Sequence, residues 1–224
     1  AILPAASQDD DILVFEDESR TKLAAKFPQL RNQDVKIEGE PNLCLSDFVA
    51  PLGSNIDDWF GIVAVTAGSG VDKLANDFSE KGDDYSAILC KVLADRLAEA
   101  FAEVLHKKVR REIWSYAQNE NDTIEELLKE NYIGIRPAPG YPACPDHRQK
   151  AEIFRLLDAK KNARIELTES MMMVPAASVS GYYFSHPESK YFNVGKVDSQ
   201  QIEDYSKRMG SSIEETKRFI PNNI

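Results

Sequence analysis

DYSAILCKVLADRLAEAFAEVLHKKVRREIW, residues 84–114, is the stretch on which the fold turns. It is rich in Ala, Leu, Glu and Lys and has neither proline nor glycine, so it predicts one long helix. Leu89, Leu93, Leu97, Phe101 and Val104 recur along it as an apolar stripe. At about 100° per residue, Asp95, Glu99 and His106 fall within a ~40° sector, with Leu93, Leu97 and Val104 roughly opposite. That sector is either a solvated face or an acidic strip offered to a cation or to a protonated histidine of a partner, and the spacing leaves both open.

Strand signals stand on either side of this helix. Upstream, GIVAVTA at 61–67 is the strongest buried-strand run and DILVF at 11–15 a second, while Ala1 to Leu3 form an apolar, strand-like stub. Cys44 to Pro51 ends in a proline break. Downstream, Thr123 can cap a second helix that has Glu125 and Glu126 in its first turn. A proline- and glycine-rich loop covers 134–147, and Asp146 can cap a third helix carrying Ile153, Phe154 and Leu157 to the core. Residues 165–195 alternate apolar and polar and predict two or three antiparallel strands. Asp198 to Met209 and Ser212 to Phe219 predict two short helices, with Gly210 as the stop between them. Strands at both ends of the sequence around a long helix, without βαβα alternation, point to the α+β class. No domain boundary stands out, so residues 1–224 are expected to act as one domain.

Composition narrows the function. At 224 residues and 42% hydrophobic the chain can bury its own core. No apolar run reaches the roughly 20 residues of a membrane helix. Lys and Arg number 27 against 37 Asp and Glu, a net charge of −10, which argues against nucleic acid and suits cationic ligands or basic protein partners. Three cysteines (Cys44, Cys90, Cys144) make no disulfide framework, so a reducing cytoplasm is expected. The first residues have no signal-peptide pattern and no initiator Met, from which a fragment cut from a longer chain is expected.

Three motifs carry candidate chemistry. Gly68-Ser69-Gly70, after a strand and before Val71, looks like the opening of a nucleotide site. Its third glycine is missing and the long helix stands where a second strand should be, so a plain strand-to-helix turn is favoured. Cys144 and His147 resemble half a metal site, but Cys44, Cys90, His106 and His186 are not paired with them at ligand spacing, and no metal is expected. The loop GIRPAPGYPACPDH, 134–147, differs in kind. Its four prolines stiffen an extended backbone, Gly140 allows close approach or a positive φ, Arg136 offers a donor fork suited to a carboxylate and Tyr141 offers an aromatic face. This is how a site for a small amphoteric molecule would be built.

The run from Arg136 to His147 resembles the Arg-x-x-x-Gly-Tyr signature of the reactivation domain of cobalamin-dependent methionine synthase. The similarity extends over the chain through Cys44–Pro51, Asp84-Tyr85, Ala94–Glu103, Leu167–Ser170 and Ser178–Tyr191. The resemblance implies a C-shaped α+β domain with a twisted antiparallel sheet and flanking helices. It implies S-adenosylmethionine along Arg136, Pro137, Ala138, Pro139 and Gly140, with Arg136 on its carboxylate. Tyr191 and Phe192 would complete the pocket, Tyr141 would lie between ligand and corrin, and Glu99 and Glu130 would favour the sulfonium. Asp95 would receive the histidine of the cobalamin domain. The implied task is to support reductive methylation of inactive cob(II)alamin to methylcobalamin, with the cobalamin-binding domain of the same parent chain and a flavodoxin-type reductase as partners. No side chain here would act as a catalytic nucleophile. The rival expectation is a non-catalytic docking module for the cobalamin domain or the reductase.

Overall fold

The structure, a computed structural model, describes residues 1–120 and 123–224, the Leu128 side chain excepted. In chain order its elements are β1 (Ile2–Gln8), β2 (Asp11–Phe15), β3 (Leu23–Pro28), β4 (Asp58–Thr66), α1 (Val71–Ser79), α2 (Asp84–Lys108), α3 (Ile124–Leu128), α4 (Lys150–Leu157), α5 (Ala159–Ala163), β5 (Glu166–Leu167), β6 (Met173–Val174), β7 (Ser178–Tyr183), α6 (Ser199–Met209) and α7 (Ile213–Phe219). The α+β class expected from the strand and helix pattern is the one found. The main sheet has the order β3-β2-β1-β4-β7, with β1 antiparallel to both β2 and β4 and β2 antiparallel to β3. The chain divides into two compact units.

The first unit holds the chain up to Gly61, a middle stretch ending at Gln149, and everything from Tyr182 on. A two-residue turn at Asp9-Asp10 joins β1 to β2 in register Gln8↔Asp11, with Asp9 at φ 52°, a conformation Asp tolerates. Phe27, Phe60, Tyr182 and Phe184 are fully buried, with neighbouring ring centroids 5.0–5.6 Å apart in tilted and edge-on pairs. A second cluster gathers Leu30, Val194, Val197, Ile202, Tyr205 and Ile220. Both C-terminal helices expected from sequence are present. Asp198 caps α6 by accepting from the Gln201 amide, Gly210 ends it at φ 66°, and Ser212 caps α7.

Buried in the same unit is a polar cluster. Asp146 is paired with Arg148 at 2.6 Å and accepts the Tyr205 hydroxyl at 3.1 Å. Gln149 Oε1 accepts the Tyr182 hydroxyl at 2.8 Å and Gln29 Nε2 at 3.1 Å, while its amide nitrogen donates to Pro28 O and to the Tyr205 hydroxyl. Burial pushes the Cys44 thiol up to about 12 and raises the Cys144 thiol as well, and it lifts the Tyr182 and Tyr205 phenols well above their ordinary range.

The second unit holds Ile62–Glu120 and Lys150–Gly181. Here the turn after β4 is a packing device. The Thr66 hydroxyl donates to Ala177 O and accepts the Gly68 amide, and a side chain at 68 would meet Pro175 Cβ at 2.4 Å. The plain strand-to-helix reading of Gly68-Ser69-Gly70 therefore has a structural reason. The helix at 84–114 is present as α2, which continues into a π-helical turn, Val109–Ile113. Arg110 is buried there and paired with Glu120 at 2.8 Å.

The structure decides what the spacing left open on α2. The stripe Leu89, Leu93, Leu97, Phe101 and Val104 faces outward, its members 40–62% exposed. The buried face of α2 is Ala87, Ala94, Ala98, Ala102 and His106, and α1 packs against α2. His106 thus leaves the acidic sector for the interior, and only Asp95 and Glu99 remain exposed. Within 165–195 the structure has three strands, a number within the expected two or three. β5 and β6 are two-residue partners, only β7 joins the main sheet, and no strand follows it. Ile153 of α4 is buried as expected, whereas Phe154 and Leu157 are half-buried.

Ala98→Leu is expected to destabilise the fold by about 1–3 kcal/mol through overpacking, and Leu97→Gln to change it by less than about 0.5 kcal/mol. Chemical denaturation decides, and the reverse order would contradict the packing of α2. Stability should also fall in alkali. Cys44, Cys144, Tyr182 and Tyr205 keep their protons in the folded chain where the unfolded chain loses them. Their contribution is complete below about pH 9 and is lost as the pH rises through the raised values. A melting temperature that stays flat between about pH 9 and about pH 11 would contradict this.

Candidate functional site

The loop 134–147 is held along its length by backbone hydrogen bonds within the first unit. Ile135 exchanges both bonds with Phe184, at 3.2 and 3.0 Å, and Pro137 O accepts the Tyr182 amide at 2.9 Å. Proline at 137 and 139 removes two donors from the segment. A tight turn follows: the Tyr141 amide donates to Ala138 O, the Gly140 amide to Cys144 O at 2.7 Å and the Cys144 amide to Tyr141 O. The Val194 amide donates to Pro142 O at 2.9 Å, which ties the turn to the segment carrying Tyr191 and Phe192. The Tyr191 hydroxyl accepts the Arg136 amide at 3.1 Å.

The expected residues Arg136, Pro137, Ala138, Pro139, Gly140, Tyr141 and Tyr191 are thus drawn together by bonds rather than by sequence proximity alone. Arg136 is half-buried, and Tyr141 presents its ring to solvent at 62% exposure. Phe192 is half-buried against the Val194 cluster and near the Phe48 ring, so its contribution to any ligand would come from its backbone and one ring edge. Glu130 lies exposed just past α3, apart from these bonds. Glu99 and Asp95 are exposed on α2, in the second unit.

Two features of the site were not legible beforehand. Asp146 was expected as a helix cap; its Oδ1 does accept the Arg148 amide at 2.8 Å, but it is also the buried anchor of the loop's far end. Gln149 and Tyr205 carried no signal, because their partners lie 33 to 121 positions away in sequence. Gly140 has φ 101°, the positive φ the sequence allowed, and it lies against the His147 ring, so a side chain there would be strained and would displace that ring. Cys144 is buried with a raised thiol pKa, which suits a packed thiol rather than a thiolate ligand.

Chemically, the segment is a preshaped backbone ledge. It carries a guanidinium at one end, an exposed phenol ring past its tight turn, and a second phenol across from the guanidinium's own amide. Such an arrangement can hold a small molecule that has a carboxylate and a flat ring, at little ordering cost.

Comparison with known proteins identifies the fold and the family. A crystal structure of the MetH reactivation domain bound to AdoHcy superposes with a TM-score of 0.97 at 51% sequence identity, covering 100% of this chain and 69% of that one. The family model for the vitamin B12 dependent methionine synthase activation domain matches residues 1–210. The chain belongs to the family of vitamin B12 dependent methionine synthase activation domains.

Proposed function

We propose that residues 1–224 bind S-adenosylmethionine along the Arg136–Tyr141 ledge and present its methyl group for the reductive repair of the cobalamin of a parent methionine synthase. The observation that carries this reading is the 51% identical reactivation domain that is bound to AdoHcy, which retains the adenosyl and amino-acid parts of the methyl donor. Arg136 would pair with the ligand carboxylate through its planar fork. The Ala138–Gly140 backbone would run beside the ligand, and Tyr191 would flank it while its hydroxyl steadies the Arg136 amide. Phe192 would close the pocket edge. Glu99 and Glu130 would favour the sulfonium by Coulomb attraction.

Tyr141, exposed just past the turn, would face the corrin. Asp95 would hold the imidazolium released by the cobalamin domain, a pairing that favours the charged form of both partners. Cobalamin, carried by the neighbouring domain, supplies the reduced cobalt that accepts the methyl group. The contribution of this chain is then proximity and orientation rather than acid–base chemistry. The electron would come from a flavodoxin-type reductase, in the cytoplasm; among the described residues no helix is long and apolar enough to cross a membrane.

One observation favours a second reading, a docking module without a working ligand site. The exposed Leu89–Val104 stripe lies on the same helix as Asp95, and apolar surface of this kind commonly marks an interface. Titration calorimetry separates the two. Under the main reading the protein binds S-adenosylmethionine and Arg136→Ala weakens binding by about 10- to 100-fold, as expected for a lost charge-assisted pair. Equal affinity in parent and variant would remove Arg136 from the site, and no binding by the parent would leave the docking reading.

A further inference from the structure

We propose that His147 is a positioning residue for the methyl-donor ledge: its imidazole is the floor on which Gly140 rests. The inference builds on the S-adenosylmethionine reading and names a residue outside the expected ligand contacts. A Cβ placed on Gly140 would lie 2.0 Å from His147 Cε1, 2.5 Å from Nδ1 and 2.7 Å from Nε2. The bare Cα of Gly140 therefore sits directly over this part of the ring. No side chain larger than hydrogen fits between them while the ring stays in place.

The floor is fixed from below. His147 stands between Asp146, held by Arg148 and Tyr205, and Gln149, held by Tyr182, Gln29 and Tyr205. With both neighbours anchored in the buried polar cluster, the His147 backbone has little freedom and only its side-chain torsions could carry the ring away. The ledge is fixed from above by the Gly140 amide on Cys144 O and the Tyr141 amide on Ala138 O. The imidazole thus transmits the position of the rigid cluster to the turn, and the turn sets the path from Arg136 to Tyr141. The effect works through van der Waals contact between the glycine backbone and the ring. It needs no proton transfer. A floor that drops by a fraction of an ångström lets the turn settle away from the ligand, and positional errors of that order are costly in preorganised sites.

The test is a double-mutant cycle on parent, His147→Ala, Gly140→Ala and the double variant, with His147→Phe as the ring-preserving control. S-adenosylmethionine affinity and melting temperature are read for each. His147→Ala should weaken binding on the order of ten-fold at temperatures where the fold is intact, and His147→Phe should recover most of that loss. Gly140→Ala should be more harmful in the parent than in the His147→Ala background, where the clash is gone and only the strain at φ 101° remains. Unchanged affinity in His147→Ala, or a Gly140→Ala effect equal in the two backgrounds, would overturn the proposal. Should His147→Ala fail to fold, His147→Gln replaces it in the cycle. A parent that binds no S-adenosylmethionine would defeat the ligand reading instead, and the melting-temperature cycle would still decide the contact, additivity refuting it.

Discussion

The Gln149 side chain is the point from which the ledge is suspended. Its carbonyl oxygen accepts from Tyr182 and Gln29, and its nitrogen donates to Pro28 and Tyr205. One amide therefore connects the end of β3, the end of β7 and α6 with the foot of the 134–147 loop. Each of these polar atoms is buried, so losing a partner costs about 1–3 kcal/mol per orphaned group. A hydrogen-bonded cluster of this kind resists rearrangement more than an apolar contact of the same size, because its bonds are directional. Asp146 and Arg148 continue the cluster beneath the turn. The stiffness of the loop thus has two sources, the prolines in its own sequence and the polar anchor at its base.

Much of this was legible in the residue string, for identifiable reasons. Long-range order was visible where it is written locally: α2 in its unbroken run of helix formers, α6 and α7 in their Asp198 and Ser212 caps and the Gly210 stop, and the ledge in its four prolines. The resemblance also identified the family. Sequence left the choice open where two local signals competed. α2 carries both a large-residue stripe and an alanine stripe, and periodicity alone does not say which one packs. Packing chose the alanines: Ala94, Ala98 and Ala102 are buried, and Leu93, Leu97 and Phe101 were left outside. β3 (Leu-Ala-Ala-Lys-Phe-Pro) lacks β-branched residues and forms a strand because β2 offers it a register. The Gln149 partners and the Gly140–His147 contact depend on tertiary geometry and leave no trace in spacing.

The exposed leucine stripe and the acids Asp95 and Glu99 share one helix, and the ledge belongs to the other unit. The chain therefore offers two chemically distinct faces. One is a rigid backbone shelf suited to a small amphoteric ligand. The other is an apolar and acidic helix surface suited to a protein. Under the proposed function the shelf would hold the methyl donor, while Asp95 and the apolar stripe would meet the cobalamin-bearing partner and Glu99 would serve the ligand's charge.

The central claim is that the ledge is built before any ligand arrives. Amide hydrogen exchange on the ligand-free protein tests it most directly, read at Gly140, Cys144, Tyr182 and Val194, whose N–H groups donate to the loop or within it. The account predicts protection at these four positions comparable to that of the β1–β2 amides, with little further slowing when S-adenosylmethionine is added. Exchange at Gly140 and Cys144 as fast as in an open loop, becoming slow only with the ligand, would contradict it.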